Sequence, residues 1–183
     1  MKKILATLFL FFLAFTVLAQ DKKVADPAPP VVTKHQVTIS GKVINYTATT
    51  GYMPIKDEKG KLRANVFFIA YTVDGVNDKS KRPVTYTFNG GPGSSSVWLH
   101  MGAIGPKRVV MSDKGDALTP PYQYINNEYS WLDKTDLVFI DPITTGFSRA
   151  ADDVSDKLFH GYNEDIEIVG EFIRYYSNRY QRW

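Results

Sequence analysis

Cysteine is absent from the 183 residues. Its absence excludes disulfides, thiolate metal sites, iron–sulfur clusters and a cysteine nucleophile. Histidine is scarce, with only His35, His100 and His160. A three-histidine metal centre would need all of them to converge, so no metal is expected. A charge surplus is also missing. Lys and Arg total 22 against 19 Asp and Glu, and Lys2 and Lys3 lie in the N-terminal leader. Without those two, 20 face 19, a net of +1. Nucleic-acid binders concentrate basic residues, so no nucleic-acid partner is expected. There is no Gly-x-x-x-x-Gly-Lys-Ser/Thr phosphate loop and no Gly-x-Ser-x-Gly nucleophile elbow. The chain does have apolar and aromatic side chains, 44% and 14% of its residues, enough for a globular core and too many for a disordered chain.

One long apolar run exists, Ile4 to Leu18, interrupted only by Thr7 and Thr16. It is shorter than the roughly 20 residues a membrane span requires. Lys2 and Lys3 precede it, and Val17 and Ala19 occupy the −3 and −1 positions of a cleavage site before Gln20. Residues 1–19 therefore read as a signal peptide. The product is expected to be periplasmic or secreted, with no stable membrane anchor after cleavage. Residues 20–34, which include Asp21 to Pro30, are polar and Pro-rich and read as a linker. Residues 35–183 read as the folded part.

Within it, Gln36 to Tyr46 alternates around Ser40-Gly41 as a hairpin or bent strand, and Gly51 to Lys61 carries Pro54 and the turn signal Asp57-Glu58-Lys59-Gly60. Asn65 to Val73 and Pro83 to Phe88 read as strands. Lys107 to Leu118 resembles an exposed hairpin around Asp113-Lys114-Gly115. Asp136 to Asp141 is a nearly continuous apolar run, the pattern of a strand buried on both faces of a parallel sheet. Ile166, Val169, Phe172, Ile173, Tyr176 and Tyr180 recur at helical spacing, with Asn163 as the expected N-cap. Early hairpin strands followed by strand–helix alternation indicate an α/β sheet. The chain stops just after a helix that should feed another strand, so a fragment is expected.

Asn89-Gly90-Gly91-Pro92-Gly93 falls between a strand and Ser94-Ser95-Ser96, a plausible helix start. Three glycines in five residues let a ligand approach main-chain N–H groups closely. Such a loop can aim an N–H at a developing oxyanion, or it can be a plain Pro-Gly turn. Arg82, Lys107 and Arg108 read as solvated surface charge, as do Asp152, Asp153 and Asp156. His100 reads as a packed helix residue, and His35 and His160 have no evident partner.

The loop belongs to a wider pattern. It comprises Asn89 to Ser96, Gly105-Pro106, Asn127-Glu128-Tyr129-Ser130-Trp131, Val138-Phe139-Ile140-Asp141-Pro142 and Gly146-Phe147-Ser148. In order and spacing these pieces resemble the N-terminal region of the serine carboxypeptidases, peptidase family S10. The resemblance implies an α/β-hydrolase fold truncated before the nucleophile elbow, no cofactor, and a Ser, Asp, His triad wholly downstream of this chain. It implies a peptide substrate, hydrolysed by acyl transfer. It assigns the oxyanion-hole N–H to Gly91 and substrate binding to Asn89 and Gly90. In the family the residue matching Asn89 holds the substrate's terminal carboxylate. Two of its companions differ: Thr87 stands where the family has Trp, and Ala103 where it has Glu. Ser94 replaces a frequent Cys. An esterase or acyltransferase on the same fold, or a non-catalytic binding module, are the alternatives.

Overall fold

A computed structural model describes residues 27–90 and 93–183. The leader 1–19 and the linker as far as residue 26 lie outside these residues, and so do Gly91 and Pro92.

Residues 27–30 are irregular, and strand β1 (Val31–Ile39) begins four residues inside the stretch read as linker. Ser40 and Gly41, at φ 49° and 77°, turn the chain into β2 (Lys42–Lys56). Two consecutive left-handed residues match the right-handed twist of the flanking strands, and glycine adopts that conformation without steric cost. β2 runs straight through Pro54, where the sequence suggested a break. β1 pairs with β2 only as far as Val31 opposite Thr50. Beyond Thr50 no described strand pairs with that edge of β2, and a missing N–H there costs no ladder bond. The Asp57–Gly60 turn forms as expected, with Asp57 Oδ1 accepting from the amides of Lys59 and Lys61. It leads into β3 (Leu62–Val73).

β4 (Val84–Thr87) follows, then a short helix α1 (Val97–Leu99) that widens into a π-turn over His100–Ile104. β5 (Lys107–Val109) does not close the expected hairpin. The turn at Asp113–Gly115 is present, bridged at Met111 and Ala117, but β5 pairs with β6 (Tyr124–Asn126). β7 (Asp136–Ile140) and β8 (Arg149–Ala150) precede helix α2 (Tyr162–Tyr180).

The main sheet has the order β1-β2-β3-β7-β4, with β8 added to β3. All five residues of β7 are buried, as its apolar run required. Its pairing is mixed: parallel to β4 and antiparallel to β3. Hydropathy reports burial on both faces and carries no information on direction, so only the β4 side matches the parallel expectation. On one face, α2 packs Phe172 and Tyr176 edge-on against Phe68, at ring-centroid distances of 5.7 and 5.6 Å. On the other face Tyr46, Tyr71, Leu137 and Phe139 form a second core, with Leu99 and Ile104 packed on it. The result is an α/β fold with a mixed sheet between two apolar layers.

Two expectations for α2 change. Ile166 is exposed, and the buried stripe is Ile168, Val169, Phe172 and Tyr176. The N-cap is Gly161, with Asn163 one residue inside the helix. Glu164 stands three residues after this cap, the capping-box position. It crowds Gly161 so closely that a Cβ there would overlap its Oε2. Among the described residues no helix is long and apolar enough to cross a membrane.

Arg82 is not surface charge. At the amino ends of β4 and β7, Asp136 accepts from Arg82 Nε at 2.7 Å and from Arg182 at 2.7 Å, and its Oδ1 also accepts from the Val73 amide at 3.0 Å. The Asp136 and Arg182 side chains are 2% and 5% exposed. The left-handed Gln181 ends α2 and turns Arg182 back into this cluster.

Candidate active site

β4 and β7 are parallel, so both end at the same edge of the sheet. Two loops leave that edge. The glycine-rich loop follows β4, and residues 142–148 follow β7. Between them lies a cavity of about 640 Å³, lined by Asn89, Gly90, Gly93 and Ser94 from the first loop and Pro142 to Thr145 from the second. Phe159, His160, Gly161 and Asp165, at the start of α2, complete its wall.

Two of the three residues assigned by resemblance, Asn89 and Gly90, face this cavity. The third, Gly91, lies outside the described residues. The Asn89 amide donates to Ser94 Oγ at 2.6 Å and to the Gly90 carbonyl at 3.0 Å. An amide nitrogen has two hydrogens, so both are engaged within the loop. Thr87, at the family's Trp position, donates to the Val138 carbonyl at 3.1 Å. At the family's Glu position, Ala103 offers only its carbonyl, which accepts from Asn127 at 2.7 Å.

Asp141, the first residue after β7, joins the two loops. It is 8% exposed. Its Oδ1 accepts the Ser96 amide at 2.9 Å and its Oδ2 the Phe147 amide at 3.1 Å. Ser96 also donates its hydroxyl to the Ile140 carbonyl. Ser148 donates to the Asp141 carbonyl at 2.6 Å and accepts from the Phe67 amide at 2.8 Å, pinning the second loop to β3. Gly146 has φ +46°, and a Cβ there would overlap Asp141 Oδ2 and press on Ser95. The Asp141-Pro142 and Gly146-Phe147-Ser148 pieces of the pattern thus come together around one carboxylate.

The Gly105-Pro106 and Asn127-to-Trp131 pieces meet beneath the other side of the loop. Asn127 donates to the Ala103 and Gly105 carbonyls at 2.7 and 2.8 Å, and Ser130 donates to the Ile104 carbonyl at 2.8 Å. These bonds take up carbonyls at the end of the π-turn, which a helix end would otherwise leave unpaired.

His100 lies in that π-turn as a packed residue, as expected. It is buried, hydrogen-bonded to the Tyr71 hydroxyl at 2.6 Å and tilted against the Phe139 ring at a centroid distance of 4.7 Å. Burial without a counter-charge lowers its pKa from 6.5 to about 4. The same burial raises the Tyr71 hydroxyl, so both partners of this bond are held in their neutral forms. The other two histidines do have partners. His35 bonds Thr33 at 2.7 Å, and His160, on the cavity wall, bonds Thr144 at 3.0 Å. Arg108 pairs with Glu128 at 3.1 Å, and Lys107 donates to Asn126 at 2.5 Å. Asp153 pairs with Lys61 at 2.6 Å in the loop read as solvated. No three His, Asp or Glu side chains converge among the described residues.

Sequence reading missed Asp141, Thr144, His160 and Asp165 as parts of this site. Asp141 carried a usable signal, since it follows an apolar strand directly. The others reach the cavity only through the fold of the 142–165 segment.

Comparison with known proteins identifies the family. The serine carboxypeptidase family model matches residues 39–179, from the end of β1 to the last turn of α2. Carboxypeptidase Y of Saccharomyces cerevisiae is 35% identical over 105 residues, covering 57% of this chain and 17% of that protein. The pheromone-processing carboxypeptidase KEX1 of the same yeast is 32% identical over 138 residues, covering 72% of this chain and 18% of its own length. A crystal structure of a prohormone-processing carboxypeptidase, KEX1(Δ)p, aligns at 34% identity over 58% of this chain and 21% of that one, with a TM-score of 0.45. The chain thus spans less than a fifth of the length of these two curated relatives, and it belongs to the serine carboxypeptidase family.

Proposed function

We propose that this chain is the N-terminal part of a secreted serine carboxypeptidase with the α/β-hydrolase fold, and that its Ser, Asp and His triad lies in the sequence following Trp183. The observation that carries this reading is the position of the glycine-rich loop. It lines a cavity outside the carboxyl ends of two parallel strands, the edge at which open α/β sheets bind ligands. Peptide-hydrolysing relatives and the absence of a Gly-x-Ser-x-Gly elbow from the sequence agree with it.

In this reading a serine oxygen attacks the carbonyl carbon of a peptide bond and gives its proton to the histidine. The carbonyl π pair moves onto oxygen, and the Gly91 main-chain N–H stabilises that oxyanion. Collapse breaks the C–N bond, and the histidine returns the proton to the departing amine. Water then hydrolyses the acyl-enzyme by the same route. Asn89 and Gly90 hold the substrate beside this centre.

A second reading, an esterase or acyltransferase on the same fold, draws support from one observation. The Asn89 N–H groups are engaged within their own loop, and Thr87 and Ala103 supply no carboxylate partner.

The full-length gene product tests the main reading. A serine-reactive fluorophosphonate should label one serine outside residues 1–183, and the mature N-terminus should be Gln20. Labelling of Ser94, Ser95, Ser96 or Ser148 would overturn the triad's assignment, and an intact Met1 on a membrane-bound product would overturn export.

A further inference from the structure

We infer that Asp141 is a positioning residue: its carboxylate sets the separation of the two loops that wall the cavity by holding one amide just past the lining residues of each, Ser96 and Phe147. The inference rests on the proposed acyl-transfer site and adds a residue that contacts no reacting atom.

Three features carry it. The carboxylate is nearly buried, and its two oxygens face opposite loops, Oδ1 towards the Ser96 amide and Oδ2 towards the Phe147 amide. Bonds from N–H to an ionised acceptor are shorter and stronger than neutral ones, so one side chain ties two segments that share no strand. The main chain of Asp141 is itself fixed, its amide donating to the Phe67 carbonyl at 3.1 Å and its carbonyl accepting from Ser148. The clamp is therefore anchored to β3, at the centre of the sheet. Gly146 leaves no space between the walls, because any Cβ would collide with the carboxylate and with Ser95. The contact is close enough that a methyl group would wedge it open.

A carboxamide at 141 has nearly the same shape but only one acceptor. It can keep the Ser96 bond and then presents an N–H to the Phe147 N–H, releasing the second loop. The loss should appear first as local opening and then as misalignment of substrate. Misplacement by about 1 Å is enough to cost up to roughly a hundredfold in rate.

The test uses the full-length protein with Asp141→Asn and Gly146→Ala. Amide hydrogen exchange should speed up about tenfold or more in residues 89–96 or 142–148 of either variant, the scale of losing a charged hydrogen bond, while exchange in β3 and α2 stays unchanged. Peptide hydrolysis should lose roughly ten- to a hundredfold in kcat with KM changed less than about threefold. Exchange unchanged in both variants would overturn the clamp. Faster exchange in the loops with wild-type kcat would overturn the positioning role, and faster exchange throughout the sheet would show a merely structural residue. If the wild-type enzyme hydrolyses no peptide, the proposed function fails, and the exchange arm still decides whether Asp141 sets the walls.

Discussion

β7 has an aspartate at each end, and the two do different things. Asp136, at the amino end, gathers two guanidinium groups and an amide into a buried cluster that ties β4, β7 and the end of α2 together. Asp141, past the carboxyl end, holds only main-chain amides, beside a cavity and a loop whose glycines leave room for a ligand. One edge of the sheet is locked by charge. The other carries a cavity, beside which the Asp141 carboxylate ties two loops together. On the proposed function, stability and chemistry sit at opposite ends of the same two strands, and substitutions at the two ends should fail in different ways.

The largest effect is expected at the amino end. Asp136→Ala would leave two nearly buried arginines without a counter-ion, and removing one partner of such a cluster costs about 3–5 kcal/mol. Urea denaturation should show a loss of that size; less than about 1 kcal/mol would mean the cluster is not an integral lock. His100 comes next. Its folded pKa, about 4, lies below its ordinary value of 6.5. The unfolded chain therefore binds the additional proton first, and the stability His100 contributes is complete above pH 6.5 and is lost as pH falls towards 4. At about 1.4 kcal/mol per pKa unit the loss reaches up to about 3 kcal/mol. His100→Gln should flatten that part of the pH–stability curve, and an unchanged slope would sever the connection. The smallest effect is expected at Asn89. Asn89→Ala should raise KM several-fold, about 1 kcal/mol, the value of one ordinary hydrogen bond. It should do so equally for free-acid and amidated peptides, because Thr87 and Ala103 do not complete a carboxylate site. A loss confined to the free acid would show that such a site survives.

The two ends also differed in how much of them could be read from sequence. β7 was legible because a run buried on both faces must be apolar throughout. Its direction against β3 was not, because apolarity is the same whichever way the strand runs. The glycine-rich loop was legible as a departure from ordinary composition. The Asp136 cluster was not, since Arg82 and Arg182 are 100 residues apart and each alone resembles an exposed charge. α2 was recognised from its period, but its buried stripe is shifted to Ile168 and leaves Ile166 in solvent. Asn163 is a good cap by type, but the helix starts two residues earlier, with Gly161 as its cap. His160 and Asp165 lie well past the end of β7 and reach the cavity wall only through the fold, which no local pattern in the sequence reports.

One experiment bears most directly on the division between the two ends: Gly91→Val in the full-length enzyme, with kcat and the urea midpoint measured on the same preparation. An oxyanion donor acts only in the transition state. The expected result is a kcat lower by about a hundredfold or more, with KM and the urea midpoint close to wild type. A preserved kcat, or a midpoint that falls as far as in Asp136→Ala, would contradict the assignment of catalysis to the carboxyl edge.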